Sequence, residues 1–155
     1  MTGVRNKHAF LVTEQELDSA IRQNTAGDFS VVVCDVNGLK YVNDNFGHKA
    51  GDEYIRSACT MICDLFKRSP VFRTGGDEFV IVLQGRDYEN RETIMENMRR
   101  ISESHIGTDQ AIVSSGISDY VRGSDESCHA VFERADKLMY ENKQALKRMG
   151  ARSRS

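Results

Sequence analysis

The sequence lacks any apolar run close to the length of about 20 residues that a membrane-spanning helix needs, and it has no signal-peptide pattern. It also lacks a block of basic residues: its 21 Lys and Arg are offset by 23 Asp and Glu, which gives a net charge of −2. Because binding a nucleic-acid backbone requires clustered Lys and Arg, this balance argues against DNA or RNA as a partner. We therefore expect a soluble, cytoplasmic domain without direct membrane contact, whether or not a parent protein is membrane-anchored.

Cysteine is scarce as well, and its placement does not suggest disulfides. The four cysteines lie inside apolar patterns rather than in a small loop-rich chain, which predicts reduced core residues in a cytosolic setting; they are Cys34, Cys59, Cys63 and Cys128. Cys59 and Cys63 are four residues apart on one predicted helix face, a spacing that a metal-binding or redox pair would also have.

The length and composition fit one globular domain. The chain has 155 residues, 39% of them hydrophobic and 28% charged, which is enough to bury roughly two-thirds of the unfolded surface. We expect a single domain over residues 1–150 and a disordered tail over residues 151–155.

A nearly continuous apolar run, FSVVVCD, predicts a strand from Phe29 to Cys34. A strand that is apolar at successive positions is typical of a central place in a sheet, with both faces buried. Asp35 then lies at the carboxyl end of this strand, where an acid is exposed to a site.

Helical periodicity accounts for most of the remaining chain. The run TEQE, Thr13 to Glu16, is a capping box, so the first main helix is expected to continue from there to about Thr25 and to end at Gly27. The spacing of apolar residues predicts further helices over about 39–46, 55–66, 88–104 and 130–147, and a strand over about 111–117.

The run FRTGGDEFVIVL, Phe72 to Leu83, predicts a hairpin with its turn at Gly75 to Glu78. The element order is then α-β-α-α-β-β-α-β-α. It indicates an α+β fold in which an antiparallel sheet carries helices chiefly on one side, similar to the ferredoxin-like or polymerase-palm arrangement. In such a sheet the first strand lies beside the hairpin.

That arrangement brings three acids together, because Asp35 ends the first strand while Asp77 and Glu78 stand at the hairpin tip. Carboxylates packed this closely raise each other's pKa, and a divalent cation is the natural way to keep them ionised. Oxygen-only ligands favour Mg²⁺ or Mn²⁺ over zinc.

Gly75 and Gly76 fit the same interpretation, because a turn without Cβ atoms permits positive φ and lets a phosphate or a base approach the backbone. Taken alone, however, Gly-Gly-Asp is equally compatible with an ordinary structural turn.

Four segments carry a family resemblance. The run RTGGDEF resembles the signature of the GGDEF family of bacterial diguanylate cyclases, and it is accompanied in order by TGVRNKHAF (Thr2 to Phe10), DVNGLKYVNDNFGHKAGD (Asp35 to Asp52) and ADKLMYENKQALK (Ala135 to Lys147). Four motifs in the right order and spacing are far more specific than any one of them. The resemblance covers essentially the whole chain and implies the GGDEF-domain fold.

The resemblance implies that two GTP molecules are joined into cyclic di-GMP with release of two pyrophosphates. Each subunit of a head-to-tail, transient homodimer would hold one GTP substrate. Carried over by position, Asp35, Asp77 and the backbone carbonyl of Val36 ligate Mg²⁺ or Mn²⁺, and Glu78 contacts a second metal ion. Asp77 would also help to deprotonate the attacking 3′-hydroxyl. Asp77, Glu78 and Lys40 are the implied catalytic residues.

Guanine recognition falls by resemblance to Asn43 and Asp52, since an amide and a carboxylate match the donors and acceptors of the base edge. His48 resembles a nucleotide-contacting histidine, and Gly75 and Gly76 would also line the substrate. Structural alternatives exist: Asp52 as a helix N-cap, Asn43 as a helix-surface residue and His48 as a solvated turn residue.

Lys40, Lys143 and Lys147 match the family's phosphate contacts in position. Lys143 and Lys147 are four residues apart on the last predicted helix and so project from the same face. For each lysine the alternative is a solvated surface residue.

The sequence departs from the family pattern at six positions. Lys7 and His8 stand where paired arginines are usual, Asn37 where aspartate is frequent, and Leu39 where phenylalanine is frequent; Leu146 replaces a glycine and Lys147 an arginine. Neither the change at Asn37 nor the change at Leu39 removes a metal or guanine ligand. Leu146 could extend the last helix by a turn.

Three functions remain open. The first is an active diguanylate cyclase, favoured because no acid or glycine of the signature is lost. The second is a catalytically silent module that binds GTP or cyclic di-GMP. The third, a nucleotide cyclase or mixed dinucleotide synthase, is disfavoured by Asp52, which would select guanine. In each case an upstream sensory domain in a parent protein is expected.

Overall fold

The apolar strand over residues 30–37 forms the centre of a five-stranded sheet in the computed structural model, which describes residues 3–151. The strands are β1 (Val4–Arg5), β2 (Ser30–Asn37), β3 (Val71–Arg73), β4 (Glu78–Leu83) and β5 (Ile112–Asp119). Their spatial order is β1-β3-β4-β2-β5. The helices are α1 (Lys7–Arg22), α2 (Leu39–Phe46), α3 (His48–Leu65), α4 (Gly85–Glu89), α5 (Arg91–Ser104) and α6 (Cys128–Arg148). None of the helices in this part of the chain is long and apolar enough to cross a membrane.

All eight residues of β2 are buried, as the apolar run predicts. The strand pairs antiparallel with β4 on one side and with β5 on the other. Its side chains alternate between two cores. Val32 and Cys34 pack with residues of α2, α3 and α5, whereas Val31 and Val33 pack with residues of α1 and α6. The sheet is therefore covered by helices on both faces.

Two features of the predicted sheet were wrong. Helices do not lie chiefly on one side, because an apolar strand needs cover on both faces. The sheet is also mixed rather than wholly antiparallel, since β1 pairs parallel with β3 through Val4–Val71 and Arg5–Phe72. The α+β class itself is confirmed.

Several predicted helix boundaries also change. Helix α1 begins at Lys7, because the side chain of Asn6 accepts a hydrogen bond from the amide of Ala9 at 2.9 Å and caps it. Thr13 to Glu16 therefore lie inside the helix and are not its start. The chain leaves α1 through Asn24, in the left-handed conformation with φ of 58°.

Elsewhere α2 spans the predicted 39–46, whereas α3 begins at His48, well before Ile55. The region predicted as one helix over 88–104 is the short α4 followed by α5. Ala151, assigned to the tail, is buried with Ile112 and Leu146. Residues 152–155, the rest of the predicted tail, lie outside the described residues.

The cysteines lie in or against the core as free thiols, and three of the four are buried. Burial raises the pKa of Cys59 to about 11, with the neighbouring Cys63 adding to the rise. The protonated thiol is neither a good metal ligand nor a good nucleophile. This environment favours the core interpretation of the Cys59 and Cys63 pair.

Helix α6 lies directly against the sheet at Gly116 of β5. A Cβ atom at this position would come within 2.3 Å of both the carbonyl oxygen of Ala135 and the amide nitrogen of Met139, which belong to the backbone of α6. The absence of a side chain thus sets the distance between helix and strand. One turn farther along α6, Asn142 accepts a hydrogen bond from the amide of Ser115 at 2.9 Å.

We expect Gly116→Ala to destabilise the domain by about 3 kcal/mol, at the upper end of the range for overpacking, because the clash is with helix backbone that cannot rotate away. Chemical denaturation measures the change. The matched control is Gly27→Ala, since a Cβ there meets nothing within 4 Å among residues 3–151. Equal stabilities for the two variants would contradict the close approach of α6.

Candidate active site

The end of β2 and the tip of the β3–β4 hairpin meet at two aspartates. Asp35 pairs with Glu78 in the ladder between β2 and β4, and the next residue, Val36, donates its amide hydrogen to the carbonyl oxygen of Asp77 at 2.9 Å. The hydrogen bonding between β2 and β4 thus continues one residue beyond the start of β4 and holds the hairpin turn against β2. The predicted approach of Asp35 and Asp77, more than forty residues apart in sequence, is present.

Asp35 is nearly buried, with 8% of its surface exposed. Its carboxylate accepts a hydrogen bond from the Nζ of Lys143 on α6 at 2.6 Å. Burial raises the pKa of Asp35 to about 6; the hydrogen bond from Lys143 opposes that rise, and the carboxylate of Asp77 adds to it. Two carboxylates and one ammonium therefore share one partly enclosed volume.

Glu78 does not complete the expected cluster of three acids. Its carboxylate accepts a hydrogen bond from the hydroxyl of Thr74 at 2.8 Å, within the turn. Among residues 3–151 there is no group of three His, Cys, Asp or Glu side chains arranged to hold a metal ion. The prediction of three converging carboxylates was wrong in this form, because local hydrogen bonding directs Glu78 to its own turn.

The Asp35 and Asp77 pair nevertheless suits a divalent cation. Both side chains supply oxygen ligands, which Mg²⁺ and Mn²⁺ prefer. When both are ionised, the single charge of Lys143 leaves one negative charge uncompensated beside a buried carboxylate. The donor chemistry and the charge therefore fit the metal that the sequence predicts.

The turn of the hairpin is held by a residue that sequence reasoning missed. The guanidinium of Arg73 donates to the carbonyl oxygens of Gly75, at 3.3 Å, and Gly76, at 2.6 Å. Neither glycine has the positive φ that we expected. A Cβ at Gly76 would meet nothing within 4 Å in the described residues, and at Gly75 only the Cβ of Glu78 at 3.6 Å. Nothing in residues 3–151 therefore requires glycine at these two positions.

The predicted guanine residues lie on two adjacent helices. Asn43 is on α2 and its side chain fills the space over Gly51 of α3, where a Cβ atom would lie 1.7 Å from Asn43 Oδ1. Asp52, the next residue, is exposed. It lies inside α3 rather than at its start, where Gly47 is the N-cap, so the N-cap alternative for Asp52 was wrong. Exposed His48 is the first residue of α3.

The three predicted phosphate contacts differ in their surroundings. Lys143 is bound to Asp35, a pairing that no local pattern could indicate because the two residues are 108 positions apart. Lys40 is exposed near the start of α2, and Lys147 is half-buried one turn after Lys143 on α6. Within the described chain neither Lys40 nor Lys147 forms an ion pair.

Three departures from the family pattern have structural roles. Asn37 is buried; its side-chain oxygen accepts from the hydroxyl of Ser114 at 2.5 Å, and its carbonyl accepts from the hydroxyl of Tyr54 at 2.8 Å. Leu146 is 1% exposed and packs in a small core, and α6 ends at Arg148, one residue past the predicted end of the last helix. Leu39 is half-buried against the main core.

Comparison with known proteins agrees with this geometry. The family model for the diguanylate cyclase GGDEF domain matches residues 1–149. Diguanylate cyclase DgcS of Shewanella oneidensis is 29% identical over 146 residues, which are 92% of this chain and 48% of that protein. Diguanylate cyclase DgcM of Escherichia coli is 33% identical over 151 residues, 92% of this chain and 35% of that protein. The chain thus spans half or less of these relatives.

A solved structure shows the same architecture. The coiled coil and GGDEF domain of DgcB from Caulobacter crescentus, in complex with c-di-GMP, is 28% identical and superposes with a TM-score of 0.74. The match covers 93% of this chain and 78% of that one. Together with the family match and the paired aspartates at the signature turn, this likeness shows that the chain belongs to the GGDEF family of diguanylate cyclase domains.

Proposed function

We propose that this domain condenses two GTP molecules into cyclic di-GMP with release of two pyrophosphates. The observation that supports the proposal best is the pair of Asp35 and Asp77, held together by the hydrogen bond between Val36 and Asp77 at the signature turn. Membership of the family makes this reaction the first one to test.

Diguanylate cyclases are nucleotidyltransferases that generally need a divalent metal. In this chain Asp35 and Asp77 would hold Mg²⁺ or Mn²⁺ with the carbonyl of Val36, and Glu78 would serve a second ion after turning away from Thr74. When bound, the metal stabilises the charge that develops on the attacking and leaving oxygens.

The residues of the chain supply binding, orientation and proton transfer. Asp77 accepts the proton of the 3′-hydroxyl as that oxygen attacks the α-phosphorus of the other nucleotide. Lys40, Lys143 and Lys147 bind the triphosphate, since their ammonium groups offset its negative charge. Gly75 and Gly76 let the nucleotide approach the turn, where no side chain intervenes.

Guanine is bound by Asn43 and Asp52, with His48 beside them at the start of α3. The carboxylate of Asp52 accepts from the N1–H and the exocyclic amine of guanine, and adenine lacks that pair of donors. Asn43 is held for this task by its contact with Gly51.

One domain holds one GTP in this proposal, so catalysis needs a second copy. The two copies meet head to tail as a transient homodimer in which each signature turn faces the nucleotide of the other subunit. An upstream sensory domain in a longer parent protein would control how often they meet.

We expect Asp77→Ala to abolish cyclic di-GMP synthesis and to keep or raise the thermal stability, because the change removes a negative charge beside buried Asp35. Turnover of GTP with Mg²⁺ and the melting temperature are measured together. The control is Asp64→Ala, which removes the same charge from an exposed position at the end of α3. Turnover of the Asp77 variant within tenfold of wild type would refute the assignment and leave a nucleotide-binding module as the alternative.

We expect Gly51→Ala to weaken GTP binding about fivefold, from roughly 1 kcal/mol for a lost hydrogen bond, because the new Cβ displaces the side chain of Asn43. Folding should be retained, since alanine is favoured over glycine inside a helix. Calorimetry with α,β-methylene-GTP measures the affinity.

The matched control for this prediction is Asn43→Ala. Adding Gly51→Ala to that variant should change the affinity no further, because the displaced side chain is already gone. Additive effects of the two substitutions would show that Gly51 acts by another route.

We also expect the specific activity of the domain to rise with protein concentration in the micromolar range, because two half-sites must meet. Initial rates at fixed GTP and increasing protein measure this. A flat dependence would argue for a stable dimer or for a different mechanism.

A further inference from the structure

Lys143 occupies a position that its expected role does not explain. Its ammonium donates to Asp35 Oδ2 at 2.6 Å instead of being free to bind phosphate, and the two side chains are only 16% and 11% exposed. The contact of α6 with Gly116 fixes this helix against the sheet and so brings Lys143 over the end of β2. The ion pair is therefore built into the packing of the fold.

The ammonium and a metal ion would compete for the same acceptor. An ammonium bonded to Asp35 Oδ2 weakens the binding of a divalent cation to the same carboxylate, because the two positive charges repel. Without Lys143, burial next to Asp77 would leave Asp35 as an uncompensated carboxylate, which is costly. A cation on this pair, either the ammonium or a metal ion, offsets that cost.

We propose that Lys143 stands in for the metal ion on Asp35 while the site holds no nucleotide, and that it moves to the triphosphate when metal and GTP bind together. This inference rests on the proposed function. The exchange keeps Asp35 compensated throughout, and the triphosphate supplies the anion that receives the ammonium. Metal binding is thereby coupled to nucleotide binding, and the nucleotide-free domain binds free metal weakly.

Among the three predicted phosphate contacts, Lys143 is the lysine that contacts Asp35. Lys40 and Lys147, the other predicted phosphate contacts, form no ion pair with Asp35 in the part of the chain that the structure describes. A lysine side chain can rotate between two acceptors without movement of α6, because its four-carbon stem is flexible.

The test is a titration of the nucleotide-free domain with Mn²⁺, with unbound Mn²⁺ measured by electron paramagnetic resonance. Lys143→Met is expected to bind Mn²⁺ roughly tenfold to a hundredfold more tightly than wild type, the range that one charge-assisted hydrogen bond spans. The control Lys137→Met removes the same charge from an exposed position on α6 and should bind as wild type does.

Two further variants keep the test decisive. Adding Asp35→Asn to Lys143→Met should abolish the gain in affinity, which locates it at this carboxylate. If Lys143→Met does not fold, Lys143→Gln retains an N–H donor without the charge and gives the same comparison. The melting temperature of Lys143→Gln should rise with added Mn²⁺ more than the melting temperature of wild type does.

Equal Mn²⁺ affinities of wild type and the Lys143 variant would overturn the exchange, as would a gain that survives Asp35→Asn. Cyclic di-GMP synthesis by the wild-type protein is assayed separately with Mn²⁺. Synthesis without the affinity gain would refute this inference alone, whereas absence of synthesis would refute the proposed function.

Discussion

The pairing register of β2 with β4 is the constraint on which the site depends. Asp35 faces the hairpin tip because Val31 and Val33 pack on one face of β2 while Val32 and Cys34 pack on the other. A slip of one residue would move every apolar side chain to the wrong core and turn Asp35 to the opposite face. Burial of valines thus fixes the position of a carboxylate, and the hydrophobic core is part of the active-site geometry.

A second constraint is electrostatic. Buried Asp35 beside Asp77 needs a positive charge, and α6 delivers one through Lys143 because Gly116 lets the helix approach the sheet. A buried ion pair adds little net stability, since desolvation offsets most of the attraction. The ion pair instead keeps the carboxylate of Asp35 ionised and oriented at a buried position, where packing alone would favour an apolar residue.

The sequence predicts those parts of the fold whose signals are local. The central strand and α2 follow from periodicity, and the approach of Asp35 to Asp77 follows from topology. The predicted start of α1 was wrong because Thr13 and Glu16 have the spacing of a capping box but lie inside a helix that Asn6 already caps. The Lys143 pair and the turning of Glu78 toward Thr74 depend on tertiary contacts or side-chain rotamers, which no sequence pattern encodes.

The glycines differ in whether the packing of the domain requires them. Gly116 is required by its neighbours, since a Cβ there would strike the backbone of α6, whereas a Cβ at Gly51 would displace only the side chain of Asn43. Gly75 and Gly76 are exposed, lack positive φ and have open space around them among the described residues, so folding alone gives no reason for two glycines there. Under the proposed function, the open backbone of this turn beside two carboxylates leaves room for a nucleotide.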